Sequence, residues 1–111
     1  MNKTPFPQSV ALAIALLASL TSSNVMAQNS SQVLHQRATA AMCANCHGTD
    51  GRTIDGSAIP SLVGMPKEYM IRQMDAFKNG KREATVMHQI TKGLTAEQIE
   101  AVANYYASTK R

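Results

Sequence analysis

Apolar side chains recur at helical spacing in two stretches of the C-terminal half of the chain. The first stretch follows Pro66, whose missing N–H is harmless at the start of a helix, and stops at Asn79-Gly80. The second begins at Thr95, which can form a capping box with Gln98. The apolar positions are Met70, Ile71, Met74 and Phe77 in the first stretch, and Ile99, Val102, Ala103 and Tyr106 in the second. The pattern predicts two amphipathic helices with one buried face each.

A third helix is predicted nearer the N-terminus. Ser30 or Ser31 is a suitable N-cap for it, and it runs through an alanine-rich stretch into Cys43. Residues 48–66 contain four glycines and predict an irregular loop. A short segment at 86–90 follows a basic linker. No run alternates as a β-strand does, so the predicted fold class is all-α.

The first residues of the chain have the form of a secretory signal peptide. Lys3 gives a positive start, residues 10–20 are almost wholly apolar, and cleavage is expected after Ala27. The apolar run is shorter than the roughly 20 residues that a membrane-spanning helix needs. The predicted organisation is a signal peptide at 1–27 and a single domain at 28–111, exported to the periplasm without stable membrane insertion.

The segment Cys43-Ala44-Asn45-Cys46-His47 carries the clearest chemistry. Two thiols three positions apart, followed by a histidine, predict covalent attachment of one haem c through Cys43 and Cys46 with His47 as an axial iron ligand. Two simpler interpretations are a redox disulfide and a structural zinc site. The disulfide motif belongs in a βαβ pattern, which is missing here, and zinc needs about four ligands.

Composition supports a bound cofactor. A domain of this size is close to the limit at which an apolar core alone is stable, and the chain has no Trp and only 5% aromatic residues. A buried porphyrin would supply the missing apolar mass, so we expect the haem-free chain to be largely unfolded.

The formal net charge of the chain is +4. The late cations Lys78, Lys81, Arg82 and Lys92 indicate a solvated surface or a positive collar that steers an acidic redox partner; they do not indicate nucleic-acid binding.

The second axial ligand must come from another methionine or histidine. Met70 and Met74 are explained by core packing, and Met42 adjoins Cys43. Met87 lies about forty residues after His47, in the short segment that a flexible linker precedes, and is the preferred ligand. His88 and Met65 remain the alternatives. A thioether ligand would raise the reduction potential relative to a second imidazole.

These motifs resemble the class I cytochromes c from about residue 33 to residue 107. More narrowly, the chain is similar to the haem domains of cytochrome c4 and of the cytochrome subunit of flavocytochrome c sulfide dehydrogenase. The residues that carry the resemblance are Cys43 to Gly51, Ile59 to Gly64, Tyr69, Gln73, Phe77, Gly80 and Arg82, Thr85 to Met87, Ile90, Lys92 to Thr95, Ile99, Tyr105 and Tyr106. Cytochrome c4 is dihaem, whereas this chain has one attachment motif.

The resemblance implies a small class I cytochrome c domain wrapped around its haem. It implies that Met87 is the axial methionine and that the Pro60 carbonyl accepts a hydrogen bond from the His47 imidazole. It also implies that the first and last helices cross near Tyr105 or Tyr106.

The predicted function is electron transfer rather than catalysis, because two axial ligands leave no open position on the iron. The protein is expected either to be the cytochrome subunit of an FAD-containing sulfide dehydrogenase or to be a free shuttle to a terminal oxidase or reductase. A five-coordinate haem enzyme or gas sensor is the alternative from another class.

Overall fold

The computed structural model describes residues 26–110. The predicted signal peptide lies almost entirely outside the described residues. The chain divides into two units, residues 1–32 and residues 33–111. Residues 26–32 are helical, and the Ser30 hydroxyl donates a hydrogen bond to the Met26 carbonyl at 2.9 Å. The predicted N-cap at Ser30 or Ser31 is therefore wrong, because both serines lie inside a helix, where a hydroxyl can bond to the carbonyl four residues earlier.

The second unit is built from helices alone within its described residues, 33–110, which confirms the all-α prediction. Helix α1, residues 33–40, leads into a single 3₁₀ turn and then into the short helix α2. Its elements after α1 are the 3₁₀ turn Ala41–Cys43, α2 (Ala44–His47), a 3₁₀ turn Thr49–Gly51, α3 (Lys67–Lys78), α4 (Met87–Lys92) and α5 (Ala96–Ser108).

The ends of the long helices follow the local sequence signals. The sequence predicts Pro66 as the first residue of this helix. In the structure Pro66 is the N-cap, and α3 begins one residue later, at Lys67. Asn79 ends α3, and Gly80 follows with φ 69°. Thr95 caps α5: its hydroxyl accepts from the Gln98 N–H at 3.2 Å, while the Gln98 side chain accepts from the Thr95 N–H at 2.9 Å. The capping box is thus confirmed.

The core of the second unit lies where α3 and α5 pack together, with α4 against α3. Its buried apolar residues are Ala40, Met70, Met74, Leu94, Ile99, Ala101, Val102, Ala103 and Tyr106. The Tyr106 hydroxyl donates to the Ala40 carbonyl at 2.9 Å, joining the last helix to the end of the first. This is the contact between first and last helices that the resemblance implied. Tyr106 is the one aromatic residue among these buried residues, and several of the others are alanines, so the core is small.

Candidate functional site

The two cysteines and His47 come together through local helical structure. The 3₁₀ turn that ends at Cys43 runs directly into α2, so Cys46 and His47 follow Cys43 at positions i+3 and i+4. Residues at these spacings share one face of a helix. Both cysteines are free thiols, so the structure holds no disulfide between them. Burial raises the pKa of the Cys43 thiol, whereas Cys46 is exposed.

His47 is buried, with 8% of its surface exposed. Its Nδ1 lies 2.7 Å from the Pro60 carbonyl oxygen, across the loop. Since a carbonyl only accepts, Nδ1 must carry the proton, which makes Nε2 the nitrogen with the available lone pair. Metal-binding histidines have this arrangement in general, because a carbonyl partner fixes the tautomer and orients the ring. The contact implied by the resemblance is therefore present between these two residues.

The backbone around His47 needs glycine at two positions. Gly48 has φ 80°, and a Cβ there would lie 2.0 Å from the Arg52 carbonyl oxygen. Gly51 has φ 75°, and its Cβ would lie 2.8 Å from the Tyr106 ring. Non-glycine residues rarely adopt this conformation, and the close neighbours remove any remaining space. The loop therefore folds back tightly beside α2.

Met87 is the first residue of α4. It is half-buried, and its carbonyl accepts from the Thr91 hydroxyl at 2.8 Å. The neighbouring His88 is also half-buried. Its Nδ1 is shielded from solvent and has no hydrogen-bond partner among the described residues. Met65, the third candidate, is half-buried and packs against the core.

Large apolar side chains are exposed on the loop before Pro60, on α3 and at α4: Ile59, Tyr69, Val86 and Ile90. Tyr69 is 42% exposed and lines a cleft of about 510 Å³ with Met65 and Arg72. The donor set is what fits a haem: two thiols come directly before a histidine whose Nε2 is the available donor atom.

Two of the four late cations make intramolecular contacts. The Lys78 ammonium donates to the Leu94 carbonyl, and the Arg82 guanidinium donates to the Gln73 side chain. The Arg82 guanidinium also lies 4.5 Å from the centre of the Phe77 ring. Lys81, Arg82 and Lys92 are exposed. The solvated surface and the positive collar both stay predictions.

Two side-chain contacts near the His47 loop were missed from the sequence. The Tyr105 hydroxyl donates to the Asp50 carboxylate at 2.6 Å, and this bond raises the pKa of Tyr105. The Ser61 hydroxyl donates to the Gly51 carbonyl at 2.8 Å. Neither contact has a signal in local periodicity, because the first joins residues 55 positions apart and the second spans an irregular loop. Within the described residues no group of three or more His, Cys, Asp or Glu is arranged to hold a metal ion.

Residues 35–105 match the family model described as cytochrome c oxidase, cbb3-type, subunit III. The chain belongs to this family of c-type cytochromes. As a c-type cytochrome, it carries covalently bound haem c, and c-type cytochromes are electron-transfer proteins.

Individual relatives of this cytochrome place it more narrowly. It is 44% identical over 69 residues to the cytochrome subunit of sulfide dehydrogenase from Chlorobaculum tepidum, covering 62% of this chain and 61% of that one. It is 38% identical over 71 residues to the thiosulfate dehydrogenase electron acceptor from Thiomonas intermedia, covering 64% and 33%. Among solved structures it resembles cytochrome c4 from Acidithiobacillus ferrooxidans, with 41% identity, a TM-score of 0.55, and coverage of 60% and 38%.

The cytochrome therefore matches from about a third to three fifths of the length of these relatives. In the part of the chain that the structure describes, no helix is long and apolar enough to cross a membrane.

Proposed function

We propose that this cytochrome is a periplasmic one-electron carrier with a single haem c. In this proposal Cys43 and Cys46 form the thioether bonds, and His47 and Met87 are the axial ligands. Haem c supplies a one-electron couple between ferric and ferrous iron. The export of residues 28–111 after cleavage at Ala27 belongs to the same proposal, since attached haems of this type are found in the bacterial periplasm or an equivalent compartment.

The observation that carries the proposal is the hydrogen bond between the His47 Nδ1 and the Pro60 carbonyl. It commits the imidazole to one tautomer, with Nε2 as the donor atom. It also makes the ring more basic, which favours a stable bond to iron. A histidine that served only packing would not need a carbonyl partner on one nitrogen and a cysteine pair directly before it.

The other residues divide the remaining tasks. Each thiol, of Cys43 and of Cys46, would add across one vinyl group of the haem: the sulfur would bond to one vinyl carbon, the hydrogen would go to the other, and the C=C double bond would become single. The two thioether bonds would hold the cofactor permanently. A Met87 thioether would favour the ferrous state and raise the reduction potential. The apolar side chains of Ile59 and Tyr69 would exclude water from the porphyrin. With both axial positions filled, only electrons enter and leave.

The axial ligand is tested by three variants, Met87→Ala, His88→Ala and Met65→Leu, each produced in a host that matures c-type cytochromes. We expect the near-infrared charge-transfer band of Met-ligated ferric haem in the wild type, His88→Ala and Met65→Leu. The band should be absent only in Met87→Ala. Survival of the band in Met87→Ala would rule out this ligand, and loss of it in Met65→Leu alone would assign Met65.

Ligation also separates an electron carrier from a haem enzyme or gas sensor. A six-coordinate iron should not bind carbon monoxide in the ferrous state at neutral pH. Rapid carbon monoxide binding by the wild type would contradict the carrier assignment, because it requires an open coordination position.

We further propose an FAD-containing sulfide dehydrogenase as the electron donor. The 44% identity to a cytochrome subunit of sulfide dehydrogenase supports this partner. The identity to a thiosulfate dehydrogenase electron acceptor shows that a related sequence serves another sulfur enzyme.

The partner is tested by mixing the ferric cytochrome with a flavoprotein sulfide dehydrogenase and adding sulfide. We expect haem reduction that depends on both sulfide and the flavoprotein, and co-elution of the two proteins. Reduction without co-elution would favour a freely diffusing shuttle. No reduction with sulfide, but reduction with thiosulfate and a thiosulfate dehydrogenase, would assign the other donor.

A further inference from the structure

A closed ring of hydrogen bonds surrounds the contact between His47 and Pro60. Next to His47, the Gly48 carbonyl accepts from the Gly51 N–H at 2.8 Å. The Gly51 carbonyl in turn accepts twice, from the Ser61 hydroxyl and from the Leu62 N–H, both at 2.8 Å. Ser61 follows Pro60 directly, and the Pro60 carbonyl accepts from His47 and so closes the ring.

The position of Pro60 depends on this ring, because the chain before it offers little support. Residues 54–60 are all exposed. Their hydrogen bonds are local, from the Ser57 N–H to the Ile54 carbonyl at 3.2 Å and from the Ile59 N–H to the Ser57 hydroxyl at 3.1 Å. Proline has no N–H of its own to donate. The Pro60 carbonyl is therefore held in place from its C-terminal side.

The Ser61 hydroxyl adds a second hydrogen bond to the Gly51 carbonyl. The first bond, from the Leu62 N–H, would by itself leave the peptide between Pro60 and Ser61 able to rotate. The hydroxyl bond lies one residue nearer to Pro60 and restrains that peptide. Gly51 is itself buried, and its backbone packs closely against the Tyr106 ring. The acceptor therefore lies in a closely packed part of the unit.

We propose that Ser61 is a positioning residue for the iron ligand: its hydroxyl, bound to Gly51, holds the Pro60 carbonyl against the His47 Nδ1 and thereby tunes the basicity of the imidazole. The inference rests on the proposed ligation of the iron by His47. A stronger bond to Nδ1–H gives the imidazole more anionic character and favours the ferric state, so loss of the Ser61 hydroxyl should raise the reduction potential.

The test compares holoproteins carrying Ser61→Ala and Ser61→Thr. For Ser61→Ala we expect an upward shift of the midpoint potential. We also expect the His47 Nδ1–H to exchange with solvent about fivefold faster by NMR, as for the loss of one ordinary hydrogen bond. Ser61→Thr keeps the hydroxyl and should restore both values. If Ser61→Ala fails to mature, Ser61→Cys, a weak donor of similar size, replaces it.

Ser108→Ala is the matched control, because the Ser108 hydroxyl makes a comparable 2.8 Å bond to a backbone carbonyl on α5, away from the ring. It should leave the potential and the exchange rate unchanged. A Ser61→Ala protein that melts at a lower temperature but keeps the wild-type potential and exchange rate would overturn the inference, since Ser61 would then be only structural. A wild type without a histidine-ligated haem spectrum would instead overturn the proposed function.

Discussion

The two segments that provide the proposed iron ligands are held in the fold by different means. The His47 segment, residues 43–64, is joined to itself and to α5 by hydrogen bonds that cross between elements. In the Met87 segment, residues 79–92, the backbone hydrogen bonds join residues close in sequence, such as the Gln89 and Ile90 N–H groups bound to the Val86 carbonyl. Val86, directly before the proposed ligand, is 54% exposed.

The difference matches what each ligand has to do. An imidazole must be aligned through its second nitrogen, and this requires a partner at a fixed distance. A thioether has no proton to place and three rotatable bonds, so it can reach a metal from a less constrained backbone. In the folded holoprotein the His47 segment is therefore expected to be held by hydrogen bonds of the protein itself, whereas the Met87 segment is expected to gain much of its order from the bond to iron.

The strongest test of this comparison removes the cofactor altogether. A Cys43→Ser/Cys46→Ser chain cannot attach haem. We expect it to lack a cooperative thermal transition, with a stability near zero instead of the roughly 5–15 kcal/mol of ordinary domains. The physical reason is the small core, with Tyr106 as its one large aromatic ring, and the apolar side chains left in water.

Circular dichroism of this variant and of the holoprotein, heated under the same conditions, makes the measurement. A cooperative transition at a similar temperature in both proteins would contradict this expectation, because it would show that the core and the hydrogen bonds of the protein suffice without haem.

The next effect concerns the tight backbone of the His47 segment. In Gly48→Ala the new Cβ would meet the Arg52 carbonyl oxygen at a φ of 80°. We expect a loss of about 2–5 kcal/mol in the free energy of unfolding, from a strained conformation together with a steric overlap. Gly56→Ala is the matched control, since Gly56 has φ 79° but no atom within 4 Å of its Cβ.

Gly56→Ala should cost only about 1–2 kcal/mol, the penalty of the left-handed conformation alone. Denaturant unfolding of both holoproteins gives the two values. Equal losses of unfolding free energy in the two variants would mean that close packing beside His47 contributes nothing to stability. This would contradict the difference proposed between the His47 and Met87 segments.

The sequence predicted the parts of this molecule that depend on local signals. The capping box at Thr95 and the end of α3 at Asn79 follow from side chains within one helical turn, and the buried face of α5 follows from its periodicity. The N-cap at Ser30 failed because a serine hydroxyl can also bond inside a helix. The hydrogen bond between Tyr105 and Asp50 could not be predicted, because no local sequence pattern shows which distant residues come into contact in the fold.

The role of Tyr105 can be measured through pH. Its bond to Asp50 favours the neutral phenol, so its pKa in the folded protein lies above that of the unfolded chain, which is about 10. The stability that this bond contributes is therefore fully present below about pH 10 and is lost as the pH rises through the higher folded pKa. In Tyr105→Phe we expect a loss of about 1 kcal/mol at neutral pH.

The difference in unfolding free energy between wild type and Tyr105→Phe should shrink above about pH 10, because the wild type loses the same bond there. Tyr69→Phe serves as the control for a tyrosine that is 42% exposed. A Tyr105→Phe difference that stays constant up to high pH would show that the Asp50 contact does not anchor the His47 segment.

The smallest expected effect lies in the Met87 segment. Arg82 connects the linker to α3 through the Gln73 side chain and the face of the Phe77 ring, and its N–H donates to the Ala76 carbonyl at 3.1 Å. Arg82→Leu should lower stability by about 0.5–1 kcal/mol, the usual size of an exposed cation–π contact. The charge-transfer band of the Met-ligated ferric haem should then disappear at a lower denaturant concentration than in the wild type.

Lys81→Leu, a neighbouring change at an exposed cation, is the control and should leave the denaturant concentration at which the band disappears unchanged. Equal shifts in both variants would mean that overall charge, and not the contact of Arg82 with α3, holds the Met87 segment near the iron.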